Sequence, residues 1–136
     1  MGADGFVQSG EDEVADVQKA LGGAPDVVFE CIGVVGAIQQ CINHVRPLGT
    51  VVSLGFCTKP DGLLPSLTTF KQVTLVFSMA YSIQEFRFCA DTLDRGHVEP
   101  RLMISDTIAL EEVPATIDRM RSGGGSEIKV HADPAL

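Results

Sequence analysis

Two short apolar runs, Val27-Val28-Phe29 and Val51-Val52, flank a stretch with helical spacing, and glycine stands at each junction. Residues 26–33 read Asp-Val-Val-Phe-Glu-Cys-Ile-Gly, a strand that runs into a turn. Ala37, Ile38, Cys41, Ile42 and Val45 then recur on one helical face, and Pro47 and Gly49 stop the helix. Residues 50–55, Thr-Val-Val-Ser-Leu-Gly, make the next strand. Strand, helix and strand in about 30 residues form a βαβ unit, the building block of a parallel sheet. The right-handed crossover rule then fixes its topology. The continuous Val-Val-Phe core is expected where both faces of a sheet are covered.

The rest of the chain continues the alternation. Residues 5–8 carry a weak strand signal. Ser9 is expected to cap a first helix with Asp12 as its box partner, Val14, Val17 and Leu21 as its apolar face, and Gly22-Gly23 as its end. Residues 58–69 hold two prolines and one glycine and read as a surface loop. Residues 73–79 form another strand. Ser82 and Glu85 make a capping box for a helix with Phe86, Cys89, Ala90 and Leu93 on its buried face and Gly96 as its stop. Leu102-Met103-Ile104 is a brief extended piece. Pro114 suits the first turn of a helix striped by Val113, Ile117 and Met120, ended by Gly123-Gly124-Gly125. Residues 127–131 read as a last strand. The expected fold is α/β, a doubly wound parallel sheet with flanking helices. At 136 residues, one domain spanning 1–136 is the natural size.

Charge and cysteine usage exclude several roles. The formal net charge is −8, with acidic residues gathered at Glu11, Asp12, Glu13 and Asp16 and again at Glu111 and Glu112. Such a chain repels phosphate backbones, so no nucleic-acid partner is expected. Both clusters suit helix N-termini, where carboxylates favour the dipole. No apolar run reaches the ~18 residues of a membrane helix, and no membrane partner is expected. The first residues show no basic region and no apolar signal core, which points to the cytoplasm. Cys31, Cys41, Cys57 and Cys89 lack the spacing of a metal knuckle or a CxxC pair and read as free, mostly buried thiols. His44, His97 and His131 have no metal-type spacing and read as surface or helix-end residues.

Cys31-Ile32-Gly33-Val34-Val35-Gly36 follows a strand and opens a helix. It matches the dinucleotide fingerprint G-x-G-x-x-G at its last two glycines. Glycines let a backbone approach phosphate, and a helix N-terminus attracts the anion. The fingerprint also calls for an acidic residue about twenty positions on, where this chain has Ser53-Leu54-Gly55-Phe56. The plainer alternative is that Gly33 and Gly36 only ease a tight turn. Leu54-Gly55-Phe56 lies at the C-terminal end of the next strand, the edge where ligands gather in open α/β sheets.

Gly2-Ala3-Asp4, residues 26–33, 46–55, 85–96 with Pro100, and 110–130 together resemble the zinc-type medium-chain alcohol dehydrogenase family, which includes threonine and sorbitol dehydrogenases. The resemblance covers nearly the whole chain. It implies a partial Rossmann-like fold and a nicotinamide cofactor, NAD or NADP. It places Cys31, Ile32, Gly33 and Val34 beside the cofactor ribose and pyrophosphate, and Leu54, Gly55 and Phe56 beside the nicotinamide. Ser78 and Met79 would approach the cofactor, and Lys129 would reach the pyrophosphate as a point charge. The strand from Val73 to Phe77 would pair with its twin in a homodimer. The family's zinc ligands, its catalytic half and its first βαβ unit have no counterpart here. The chain therefore reads as a C-terminal part of the coenzyme-binding domain, with no catalytic residue, no expected zinc and a missing N-terminal half as a further partner.

Three functional readings follow. The first is a cofactor-orienting part of a hydride-transferring alcohol dehydrogenase, inactive alone. The second is a non-catalytic dimerisation or assembly module. The third is a small nucleotide-binding domain that uses the turn at 31–36.

Overall fold

In the computed structural model, residues 2–96, 100–123 and 125–136 are described. They fall into two compact units, 2–81 and 82–136. His97, and Gly124 of the glycine triplet, lie outside the described residues.

The first unit contains α1 (Glu13–Leu21), β1 (Val27–Glu30), α2 (Ala37–His44), β2 (Thr50–Ser53), α3 (Pro65–Lys71) and β3 (Thr74–Phe77). The strands are parallel, in the order β1-β2-β3. The register aligns Val28, Val51 and Leu75 in one row, and Phe29, Val52 and Val76 in the next. Side chains alternate between faces along a strand, so these rows point to opposite sides of the sheet. The first row meets the helices: Cys41, Ile42, Val45 and Val51 are buried, with Val28, Ile38, Leu67, Val73 and Leu75 packed around them. The opposite side is open, with Val27 46%, Phe29 61% and Val76 42% exposed. The apolar run at 27–29 is thus covered on one face, not on both. Periodicity alone could not report this, because coverage depends on which helices are present.

Lys71 closes the helical layer. Its Nζ donates to the carbonyls of Ile42, Asn43 and Val45, each at 2.8 Å. Those carbonyls at and just past the end of α2 have a cation where the helix dipole favours one. Burial pushes the Lys71 ammonium below its usual range.

Several local expectations need correction. Residues 5–8 form no strand. α1 starts after Asp12, and Ser9 donates to the Glu13 carboxylate instead of capping the helix. Leu21 at its end is exposed. The stretch 58–69 is not all loop: Pro65 begins α3, at the helix position where a missing N–H costs nothing. Cys41 is buried and Cys57 half-buried, but Cys31 and Cys89 are exposed.

The second unit contains α4 (Ile83–Asp94), a 3-10 turn at Pro100–Met103, β4 (Ile104–Ile108), α5 (Val113–Arg121) and β5 (Lys129–Ala132). β4 and β5 pair in parallel, with a bulge between Ile104 and Asp106. The capping box of α4 forms in both directions. Its expected buried face does not: Phe86, Cys89, Ala90 and Leu93 are all exposed. In α5, Pro114 takes the first turn, but the buried residue is Thr116, while Ile117 and Met120 are exposed. The extended piece at 102–104 is the end of a 3-10 turn leading into β4. Among the described residues, no helix is long and apolar enough to cross a membrane. The α/β class, the parallel pairing and the flanking helices are as the sequence implies.

Candidate functional site

The parallel register brings Glu30, Ser53 and Phe77 side by side at the C-terminal ends of β1, β2 and β3. This is the edge at which open α/β sheets hold ligands. Glu30 is 3% exposed, yet its carboxylate has ample partners. Oε1 accepts from the N–H of Ile32 at 2.7 Å and of Gly33 at 2.6 Å, and Oε2 accepts from Ser53 Oγ at 3.0 Å. The Gly33 N–H is the main cause holding this carboxyl below its ordinary value, while burial opposes it and Ile32 and Ser53 assist. Its backbone carbonyl accepts from Leu54 N–H and Gly55 N–H at 2.8 and 3.0 Å. One residue therefore ties the turn after β1 to the turn after β2.

The two glycines of this corner are required by space. Gly33 has φ +72°, and a Cβ there would stand 2.5 Å from Phe56 N. A Cβ on Gly55 would stand 2.3 Å from Gly33 N and 2.6 Å from both carboxylate oxygens of Glu30. No real side chain tolerates such approaches, so both turns stay glycine while Glu30 keeps its place.

Beyond this corner a cleft of about 630 Å³ opens between the strand ends and the chain that follows them. It gathers Val34, Leu54, Gly55, Phe56, Ser78 and Met79, six of the residues expected at a cofactor. Cys31 and Ile32 line a separate depression with Glu13 and His44. Gly33 borders a third, with Phe56 and Lys59. Lys129 belongs to the second unit, in β5. His44, the last residue of α2, pairs with Glu13 at 2.8 Å, so it is the helix-end histidine that the sequence suggests.

Sequence reasoning missed Glu30, Ser53, Cys57, Lys59, Asp61 and Phe77 of the cleft lining. A carboxylate closing an apolar strand was the available signal for Glu30, since a charge seldom ends a buried run unpaired. Asp61 had no local signal. Its Oδ1 accepts from Gly36 N–H at 2.8 Å, across 25 residues, and from Gly62 N–H at 2.9 Å. Gln39 Oε1 likewise accepts from Leu64 N–H at 2.6 Å, so two links fasten this loop to the start of α2.

The lining is mainly apolar, with Glu30, Asp61 and Lys59 as its charged residues. It suits a flat, uncharged group held by contact and oriented by a few backbone dipoles. Among the described residues no three His, Cys, Asp or Glu side chains are grouped to hold a metal ion.

The zinc-binding dehydrogenase family profile matches residues 1–95. Sorbitol dehydrogenase 1 of Saccharomyces cerevisiae is 27% identical over 120 residues, 88% of this chain and 34% of that protein. An uncharacterized zinc-type alcohol dehydrogenase-like protein of Escherichia coli is 32% identical over 114 residues, 82% of this chain and 32% of that one. Among solved structures, a putative zinc-binding dehydrogenase from Sinorhizobium meliloti bound to NADP is 30% identical, with a TM-score of 0.69, covering 80% of this chain and 32% of that one. The 2R,3R-butanediol dehydrogenase from Bacillus subtilis shares the fold at 21% identity, with a TM-score of 0.78 over 92% of this chain and 36% of that one. The chain spans about a third of the length of the curated relatives it matches.

Proposed function

The chain belongs to the zinc-binding dehydrogenase family, and on that premise we propose that its strand-end cleft is one wall of a nicotinamide dinucleotide site. The observation that carries the reading is the corner of Glu30, Gly33 and Gly55, which sets two turns rigidly beside an apolar cleft at the C-terminal edge of a parallel sheet. The Sinorhizobium meliloti relative is described as bound to NADP, which supports a dinucleotide. The bound cofactor supplies hydride chemistry; the protein supplies binding and orientation. Val34, Leu54, Gly55, Phe56, Ser78 and Met79 would pack against it. Cys31 and Ile32 are proposed contacts at its outer parts. We propose that the substrate alcohol and the metal that would activate it are held by residues of the partner that completes the site. We propose that the chain alone is inactive and works in the cytoplasm with a partner that completes the site. Either NAD or NADP fits this reading.

A second reading, an assembly module, is favoured by one observation: the open sheet face and the outer edges of β1 and β3, which pair with no further strand among the described residues. Such edges and faces invite another chain. Both readings allow a homodimer through β3.

Calorimetric titration with NAD and NADP separates them. The cofactor reading expects weak, saturable binding that is weakened by Phe56→Ala, and no alcohol-dependent NADH formation. Each lost charge-assisted bond to phosphate or ribose costs about 1.5–3 kcal/mol. A chain with half a site is therefore expected to bind far above the micromolar range. No saturable heat with either dinucleotide would leave the assembly module as the reading.

A further inference from the structure

Cys31 and Cys41 line one depression of about 260 Å³ beside the end of β1. Cys31 lies exposed on the turn after the strand, whereas Cys41 is buried in the core cluster. A third reactive group shares the depression: His44, whose Nδ1 is buried with no hydrogen-bond partner among the described residues. We propose that this depression is a dithiol redox site, in which a hydroperoxide oxidises Cys31 and Cys31 then closes a reversible disulfide with Cys41. The proposal does not rest on the cofactor reading, since none of the three residues lines the strand-end cleft.

Each member has the surroundings that its step requires. Cys31 is the thiol that solvent reaches, so a small hydroperoxide meets it first. Its sulfur attacks one peroxide oxygen and the O–O bond breaks. Cys31 becomes a sulfenic acid, and the released hydroxide takes the thiol proton and leaves as water. Cys41 is a poor starter, because burial, and then the charges of Glu30 and Cys31, push its thiol up. It suits the second step, in which its sulfur attacks the Cys31 sulfur, the S–S bond forms and the S–O bond breaks. The Cys41 proton passes by way of His44 to the departing hydroxide, which leaves as a second water. Ser9 foremost, then His44, hold the Glu13 carboxyl below its ordinary value, so this group is ionised and only accepts. His44 Nε2, 2.8 Å from Glu13 Oε1, is therefore the nitrogen that carries hydrogen, and in the neutral ring Nδ1 keeps an unclaimed lone pair. In sum the two thiols give up two electrons and two protons, and hydrogen peroxide becomes two waters. The closed bond fastens to α2 the turn whose Ile32 and Gly33 N–H groups hold Glu30, so oxidation reaches the corner of the cleft.

Chymotrypsin cuts after Phe29 and Leu48, so the peptide 30–48 carries Cys31 and Cys41 without Cys57 or Cys89. The test treats the reduced full chain with one equivalent of hydrogen peroxide, blocks the remaining thiols with N-ethylmaleimide in denaturant, and weighs that peptide by mass spectrometry. In the wild type the peptide loses two hydrogens, takes no maleimide, and recovers both thiols with dithiothreitol, while exposed Cys89 still takes its maleimide. In Cys31→Ser, an exposed change that leaves the core untouched, Cys41 takes maleimide in full after peroxide. In Cys41→Ser the reaction stops at the Cys31 sulfenic acid, which dimedone traps. His44→Gln keeps a donor for Glu13 but slows closure, so dimedone traps Cys31 there as well. Maleimide on both thiols of the wild-type peptide when Cys89 is already oxidised would overturn the proposal. So would a disulfide that joins two chains instead of closing within one, or loss of the Cys41 thiol in Cys31→Ser. Closure of His44→Gln at the wild-type rate would overturn the part given to His44.

Discussion

Glu30 shows how much one side chain can organise when burial and hydrogen bonding act together. An ionised carboxylate out of water is costly unless its oxygens are filled, and here two backbone amides and a hydroxyl fill them. The folded-state value of this group is depressed, so its contribution to stability is present above the ordinary carboxylate value of 4.5 and is lost as pH falls through the folded value below it. Glu30→Gln keeps the size and one acceptor but has no such titration. The stability gap between wild type and Glu30→Gln, measured by urea unfolding, is expected to be largest near neutral pH and to shrink steadily as pH falls below about 4.5. Glu30→Ala strands the two amides and the Ser53 hydroxyl and should cost about 2–4 kcal/mol at neutral pH. A gap that stays constant with pH would mean that the carboxylate charge is not what holds the corner. The sequence showed Gly33 and Gly55 as turn formers but not why they are required. The reason, a carboxylate arriving from another strand, is a tertiary contact.

Elements were legible where local chemistry alone decides them. The strands at 27–30, 50–53 and 74–77 and the α4 capping box follow from runs and spacing within a few residues. α3 is missed because Pro60, Pro65 and the short length of the helix look like loop, although Pro65 suits a helix start. The apolar stripes of α4 and α5 misled for a different reason: an amphipathic pattern states which face wants cover and not whether cover is present. The outer edge of β3 carries the element-scale prediction. Thr74 N–H and Ser78 N–H donate to Gly49 and Ser53 of the β2 side. Alternation along the strand then points the amides of Leu75 and Phe77 outward. Proline at either position removes an outward donor and spares the inner ladder. Leu75→Pro also disturbs a side chain packed on the core, so Phe77→Pro is the cleaner variant. Under the proposed β3 dimer, light scattering across a dilution series should show a dimer for the wild type and a monomer for Phe77→Pro. A wild type that is monomeric at every concentration, or a folded Phe77→Pro dimer, would dispose of that interface.

At the scale of the whole chain, the notable fact is that the buried cluster Cys41, Ile42, Val45 and Val51 and the partly buried hydrophobics named against it all come from residues 28–75. The first unit therefore holds its own core, and a chain comprising 2–81 is expected to fold alone. Dispersed amide NMR signals for Val28, Ile42, Val51 and Leu75 in that piece, matching those of the full chain, would bear this out; a collapsed, featureless spectrum would show that the second unit is needed. The sequence conveyed the alternation of strand and helix but not the division into two parallel sheets, because strand runs carry no label for the partner they will choose.

The corner at 30, 33 and 55 also limits which mutations the chain can accept. Every single-nucleotide change away from a glycine codon at 55 adds a Cβ or stops the chain, and that Cβ would strike Gly33 and Glu30 together. Shortening Glu30 to make room would empty the acceptors on which the turn depends. At position 55, then, no one-step substitution escapes a clash with the corner. Side chains of the cleft walls such as Phe56 and Met79 are exposed, so a replacement there meets solvent, and the walls can be changed while the corner that positions them cannot.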